Sequence, residues 1–221
     1  LTLRHAEGFG NINAMLSLGR GGMLLATNRG LLVCRLSTGD CRPMAGGGQL
    51  SDNLIHALMR DAAGTLWVMT NNEGVSYLPD PDKGFLFEPM VYNGNRLIVH
   101  AFAETPDGRL WLGTSHGLFR PGSEPMPVAV RGQDIQCLTV FGHDVAAGSK
   151  QDGLTFIDGA GNEARFAYSP DKPYTLASNN VQSLLVAHDG QLYVGTNWGL
   201  SRYDRATHNF YGYLQISSMT P

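Results

Sequence analysis

A thirteen-residue stretch from Gly108 to Arg120, G-R-L-W-L-G-T-S-H-G-L-F-R, recurs in recognisable form along the chain and constrains its fold more than any other feature. Aligned on the hydroxyl residue that ends the apolar run, the copies fall at Thr27, Thr70, Thr114, Ser149 and Thr196, which are 43, 44, 35 and 47 residues apart. A period near forty is the mark of a repeat architecture. Six residues before the anchor stand Gly21, Gly64, Gly108 and Gly190, with His143 in the fourth copy. Shortly after it come Gly30, Gly74, Gly117, Gly153 and Gly199, each followed by Leu or Val. Upstream, Ile12, Ile55, Val99, Ile135 and Val181 open a short apolar segment, with Met15, Leu58, Phe102, Leu138 and Leu184 three residues on.

Each copy reads as four short strands, a to d, joined by hairpin signals, and therefore as an antiparallel meander. The 28 Gly and 11 Pro among 221 residues agree with many turns, and no window shows a capped apolar period of 3.6. The pairs Gly21-Gly22 and Asp107-Gly108 read as tight hairpin turns, the latter a two-residue one. Fourth strands are expected near Cys41 and over Phe85–Phe87, Val128–Val130, Ala164–Tyr168 and Phe210–Tyr213. Strand b is apolar on both faces, as in Leu66-Trp67-Val68, Leu110-Trp111-Leu112 and Leu192-Tyr193-Val194. One such sheet cannot bury both faces, whereas sheets stacked radially cover each other. The expected fold is an all-β β-propeller of four-stranded antiparallel blades, with about five blades at 11–50, 51–92, 93–131, 132–170 and 171–215. Leu1–Arg4 reads as the outer strand of a preceding blade, residues 5–10 as a linker, and Gln215–Pro221 as the start of another, so the chain is expected to be part of a larger propeller; a self-closed five-blade propeller is the alternative.

The net charge of −3 and pI near 6.1 supply no basic footprint, so no nucleic-acid partner is expected. Three cysteines are too few for a disulfide scaffold. Cys34 and Cys41 flank the turn Ser37-Thr38-Gly39-Asp40, a spacing compatible both with a cross-strand bridge in an oxidising compartment and with buried free thiols. No metal-ligand spacing, nucleophile elbow or cofactor motif appears, so neither metal nor cofactor nor catalytic residue is expected. Asp61-Ala62-Ala63-Gly64-Thr65-Leu66-Trp67 has a superficial likeness to the Asp-box of sialidases, but Asp61 stands three residues before its Gly where that motif has two.

The copies D-G-R-L-W-L-G-T-S-H-G-L-F-R (Asp107–Arg120) and D-G-Q-L-Y-V-G-T-N-W-G-L-S-R-Y-D (Asp189–Asp204) resemble the two-component-regulator propeller repeat. The resemblance is strong in the second, third and fifth units and weak in the fourth, where His143-Asp144 replaces the Gly turn and no Trp or Tyr follows. It implies the periplasmic sensor region of a hybrid two-component histidine kinase of the Bacteroidetes type, which senses an oligosaccharide and regulates polysaccharide-utilisation genes. The implied partners are that ligand, other blades and domains of the same receptor, and a second copy in a homodimer.

In such a fold the b-to-c turns and the d-to-a linkers emerge on one face. The turns supply Asn28 and Arg29; Asn71, Asn72 and Glu73; Ser115 and His116; Lys150, Gln151 and Asp152; and Asn197 and Trp198. The linkers add Asp52, Asn53, Asn93, Asn95, Arg96, Asn179 and Asn180. Amides both donate and accept, Arg and Lys hold carboxylates, and an indole covers the apolar face of a pyranose, so a saccharide-sized depression is the expected site. The bland alternative for each Asn is a turn residue tolerating left-handed geometry. Trp198 resists it, because a turn has no local need for an indole. Trp67 and Trp111 lie within strand b and read as packing between blades, and His56 and His100 as hydrogen-bonded residues of strand a. Two other functions stay open: a non-catalytic scaffold for dimerisation or partner binding, and a propeller lyase or hydrolase.

Overall fold

The computed structural model describes residues 8, 10–44, 50, 52–71, 74–80, 82, 84–122 and 128–215. The expected strand Leu1–Arg4 and the tail beyond Gln215 lie outside the described residues. Every regular element described is a strand, and the chain divides into two compact units, Leu1–Val99 and His100–Pro221.

In the first unit, β1 (Ile12–Gly19), β2 (Gly22–Thr27), β3 (Gly30–Arg35) and β4 (Cys41–Pro43) form one four-stranded sheet in sequence order. A second follows from β5 (Ile55–Arg60), β6 (Leu66–Thr70), β7 (Val75–Leu78) and β8 (Leu86–Glu88). The hairpin β9 (Val91–Tyr92) and β10 (Asn95–Arg96) was not foreseen in the sequence; Asn93 (φ 51°) and Gly94 (φ 76°) turn it. Leu24, Ala26 and Leu31 of the first sheet pack on Ile55, Leu66 and Val68 of the second. Ile55 is fully buried there, whereas Ile12, its counterpart in β1, is 46% exposed, and Met15, the counterpart of the half-buried Leu58, is 67% exposed.

The second unit holds the third sheet, β11 (Val99–Glu104), β12 (Leu110–Thr114) and β13 (Gly117–Phe119). The fourth comprises β14 (Ile135–Phe141), β15 (Asp144–Ser149), β16 (Leu154–Ile157) and β17 (Glu163–Phe166). The fifth comprises β18 (Val181–Val186), β19 (Leu192–Thr196), β20 (Gly199–Asp204) and β21 (Asn209–Gln215). Strand b of the fourth sheet behaves as its two-sided apolar pattern requires: Val145 and Ala147 join Trp111 and Leu118 of the third sheet, while Ala146 joins Val181, Val194 and Tyr203 of the fifth. Burying a Leu- or Val-sized side chain contributes about 1.5–3 kcal/mol, so each inter-sheet seam is a main source of stability. Gly113 allows one close approach, since a Cβ there would lie 2.8 Å from Cγ2 of Ile135 in the next sheet.

The third sheet has no fourth strand over Val128–Val130; Ala129 makes only an isolated bridge to Leu118. Val130 takes a left-handed φ of 44°, which ends extended pairing at that point. The hairpins differ from expectation as well. Asp107-Gly108 belongs to a three-residue loop: Gly108 N–H donates to Thr105 O (2.8 Å), Thr105 N–H donates to Arg109 O (2.9 Å), and only Gly108 has positive φ. A two-residue type I′ turn would need positive φ at Asp107 too. Asp61–Thr65 and Ala187–Gln191 close in the same way. The two-residue form occurs one residue earlier than expected in the first sheet, at Arg20 (φ 48°) and Gly21 (φ 75°), closed by the Gly19–Gly22 pair.

The hydroxyl that served to align the copies is the pin of the b-to-c turn in the first, third, fourth and fifth sheets. Thr114 Oγ1, fully buried, donates to Gly117 O (2.9 Å) and accepts from His116 N (3.1 Å). Thr27 does the same with Gly30 and Arg29, and Thr196 with Gly199 and Trp198, while Ser149 Oγ accepts from Asp152 N. Gly117 is then required twice over, by its φ of 120° and by Val130 O, which a Cβ would meet at 2.8 Å.

Cys34 and Cys41 are joined by a disulfide, so of the two alternatives the bridge is the one found. They are a directly paired couple on β3 and β4, next to the hydrogen bond from Arg35 N to Asp40 O, and so occupy the close, non-hydrogen-bonded position where Cβ atoms face each other. Cys137 is free, and burial pushes its thiol up to about 12.

Two outcomes are expected. Gly117→Ala should lower unfolding free energy by about 2 kcal/mol or more, because left-handed strain and a backbone collision add. Gly122→Ala, whose φ of 69° carries strain but whose Cβ meets nothing within 4 Å, should lose only about 1 kcal/mol in the same urea titration. Native Cys137 should resist iodoacetamide at pH 8 and react once the chain is denatured without reductant. Its raised folded pKa means that stability falls as pH climbs from the unfolded thiol value of about 8.5 towards 12.

Candidate functional site

In the first unit, the turn Asn28-Arg29 is closed by the Thr27–Gly30 pair. Asn28 Oδ1 accepts from Asn13 Nδ2 (2.8 Å), which also reaches Ile55 O (2.8 Å), and Arg29 Nη1 donates to Gly8 O (2.8 Å). Asn71 lies exposed with its Oδ1 3.4 Å from His56 Nε2, while Asn72 and Glu73 lie outside the described residues. Neither Asn28 nor Asn71 has positive φ, so left-handed tolerance is not what places an amide there. It is what places Asn93, at the first corner of its type I′ turn. Arg96 is exposed on β10.

In the second unit the linker to the fifth sheet ties two turns together. Asn179 O accepts from Gly153 N (3.0 Å) beside the Lys150-Gln151-Asp152 turn, and Asn180 O accepts from Asn197 N (3.2 Å). Asn179 Oδ1 holds Tyr168 N at 2.7 Å, and the Tyr168 ring meets the Trp198 indole edge-on, 6.3 Å between centroids. Trp198 is 57% exposed and Tyr168 38%. Arg165 clamps Asp152 from strand d, through Nη2 to Oδ1 (2.7 Å) and Nε to the backbone oxygen (2.8 Å). In the turn at Ser115-His116, Ser115 Oγ stands 3.0 Å from His116 Nδ1, and His116 O accepts from Gly132 N (3.1 Å). The Tyr168–Trp198 ring pair and the backbone bonds of Asn179 and Asn180 thus join the end of the fourth sheet to the b-to-c turn of the fifth.

The sequence reading passed over Asp134, which is the hub of this end of the unit. Its carboxylate meets His100 Nε2 (3.2 Å), Gln136 Nε2 (2.8 Å) and Lys150 Nζ (4.0 Å), and its backbone oxygen accepts from Lys150 N (2.9 Å). A signal was present: the residue before strand a is Leu54, Ile98 and Asn180 in other copies, and only here a carboxylate. Tyr168 and Arg165 were likewise not foreseen as neighbours of the turns. Among the described residues no group of three or more His, Cys, Asp or Glu comes together to hold a metal ion.

Trp67 and Trp111 are 8% and 6% exposed. Trp67 stacks on Tyr77 (4.9 Å) and donates from Nε1 to Asp61 Oδ2 (2.8 Å), so Asp61 is a structural carboxylate. Trp67→Ala should therefore cost about 3–5 kcal/mol of unfolding free energy, while Trp198→Ala should change it by no more than about 0.5 kcal/mol, both read by denaturant titration.

A model described as "two component regulator propeller" matches residues 49–72, 93–116 and 175–198. Each match spans the linker, strands a and b, and ends two residues past Thr70, Thr114 and Thr196, so the three are in one register. None of the curated proteins matches the chain in sequence. Among solved structures, it is similar to the extracellular domain of the hybrid two-component system BT4673 of B. thetaiotaomicron, with a TM-score of 0.74 and 21% identity over 87% of this chain and 27% of that one. A second similar structure is the extracellular domain of the hybrid two-component system BT3049 of the same organism, with a TM-score of 0.69 and 14% identity over 91% and 30%. A third is virginiamycin B lyase from Staphylococcus aureus, with a TM-score of 0.71 and 12% identity over 99% and 74%. The chain thus spans between a quarter and a third of the two-component extracellular domains it matches. With its antiparallel sheets and three in-register matches, the chain is an all-β protein of propeller blades that carries the two-component-regulator propeller repeat at residues 49–72, 93–116 and 175–198.

Proposed function

We propose that the chain is the propeller part of an extracytoplasmic sensor in a hybrid two-component histidine kinase, and that it binds an oligosaccharide. The observation that carries this reading is the threefold match to the two-component-regulator propeller repeat. The Cys34–Cys41 bridge supports it, since such bonds persist in oxidising compartments such as the periplasm. The likeness to a lyase, at 12% identity, speaks for the fold alone.

The ligand surface is that of the second unit: Trp198 and Tyr168, exposed and in ring contact, offer aromatic area to a sugar face, and the candidate donors and acceptors are Lys150, Gln151, Asp152 and Asn197 of the b-to-c turns. Arg165 and Asn179 position the turns without touching the ligand. Binding signals only if the ligand favours one arrangement of the receptor over another. A scaffold role is the second reading, motivated by Leu86 and Phe87, 46% and 42% exposed on the outer strand β8.

Calorimetric titration of an oligosaccharide panel against the intact sensor region tests this. The expected result is saccharide binding that weakens about tenfold or more in Trp198→Ala, the loss of a central aromatic anchor. Saccharide binding indifferent to Trp198→Ala would overturn the site, and the absence of any saccharide binding would overturn the ligand class in favour of the scaffold.

A further inference from the structure

The first sheet bears a cavity of about 460 Å³ at its a-to-b and c-to-d hairpins, a volume within the range of small-molecule sites. Arg20, Arg35 and Arg42 line it, and among the described residues Asp40 is the one other charged group of the lining. Three guanidinium groups against one carboxylate leave two positive charges, in a chain whose net charge is −3. The gathering of cations is therefore local and runs against the overall charge.

The register of β2, β3 and β4 accounts for it. Arg35 lies opposite Gly22 of β2, and Val33, two residues earlier on β3, lies opposite Arg42 of β4. Paired residues share a face of the sheet, as do alternate residues of one strand, so Arg35 and Arg42 leave the same side as Val33 and Leu24. Gly22 adds no side chain on that side, and the space stays open. The Cys34–Cys41 disulfide, set between the two arginines, ties the three-residue strand β4 to β3 and so fixes Arg42 beside Arg35. Arg20 comes from the a-to-b turn, where its φ of 48° is one that Gly or Asn adopts at lower cost.

None of the three arginine side chains forms a hydrogen bond or ion pair with a described residue. Asp40 stands opposite Arg35, whose N–H donates to its backbone oxygen (2.9 Å), yet its carboxylate makes no ion pair with the arginines. Cations brought together on one face repel each other. A guanidinium offers its paired N–H groups to the oxygens of a carboxylate or phosphate, so a ligand with two negative charges would satisfy the donors and neutralise the lining together. A neutral molecule would do only the first.

We propose that this cavity binds a small organic dianion, a phosphate monoester or a dicarboxylate, whose oxygens accept hydrogen bonds from Arg20, Arg35 and Arg42. The site belongs to the first unit and stands or falls separately from the Trp198 surface.

Calorimetric titration of the full chain at low salt with glucose 6-phosphate, succinate and uncharged glucose tests this. One of the two dianions should bind, and which of them binds more tightly assigns the class; glucose should give no binding. The affinity should fall as sodium chloride is added. Arg35→Gln and Arg42→Gln should each weaken binding about tenfold or more, the loss of a charged hydrogen bond. Arg20→Gly should weaken it too while leaving the melting temperature unchanged or raised, because Gly adopts the left-handed conformation without strain. Lys172→Gln, which removes an exposed cation of the second unit, should leave binding as it was. Absence of binding by both dianions would overturn the proposal, as would glucose binding as tightly as glucose 6-phosphate. So would unchanged binding by folded Arg35→Gln and Arg42→Gln, or an equal loss in Lys172→Gln, which would mark a response to overall charge and not to a site.

Discussion

A four-stranded sheet of short strands with two apolar faces cannot stand alone, and everything else in this molecule follows from the need to cover both. In the second unit the cover is reciprocal: alternate residues of β15 face different neighbours, Val145 and Ala147 with the third sheet and Ala146 with the fifth. Such packing demands that consecutive sheets approach closely, and Gly113 provides the approach by offering no side chain to Ile135. It also demands that the b-to-c turns be tight. The hydroxyls of Thr27, Thr114 and Thr196 secure this in the first, third and fifth sheets by holding both the donor inside the turn and the carbonyl after it.

That division of labour explains where variation is free. With the turn path fixed by a hydroxyl and a glycine, the side chains between them do not have to hold the turn itself, and residues as different as Asn28, His116 and Trp198 occupy it. An indole 57% exposed in such a turn, with the phenol of Tyr168 at its edge, buries little surface in the fold. At the other end of the sheets the hairpins are specified by a three-residue loop, and the side chain opening that loop decides whether the neighbouring tryptophan is satisfied, as by Asp61, or left open, as by Thr105.

The repeat, the all-β class and the positions of the turns were legible because they follow from offsets between Gly, Thr and apolar residues that packing keeps constant. The weakness of the fourth copy and the strength of the second, third and fifth were legible for the same reason. Conformations set by something outside the local stretch were not. Asp-Gly announced a turn but not its length, which depends on the φ of Asp107; the fourth strand of the third sheet is cut short by the left-handed Val130; and the oxidation of Cys34 and Cys41 depends on their cross-strand register. The b-to-c turns are legible one at a time, so their amides and Trp198 could be named as candidates from the sequence. Partners reached through space, Arg165 and Tyr168, are not marked by anything in their own neighbourhoods, and Asp134 is marked only by being the one carboxylate just before a strand a.

The central claim is that adjacent sheets cover each other face to face through the glycine of strand b. Nuclear Overhauser spectroscopy of methyl-labelled protein measures this contact directly. The account predicts strong cross-peaks from the Gly113 α-protons to the Ile135 methyl groups and from the Gly148 α-protons to the Val181 methyl groups. Absence of both, with the strands themselves intact, would mean that the sheets do not stack in this way and would contradict it.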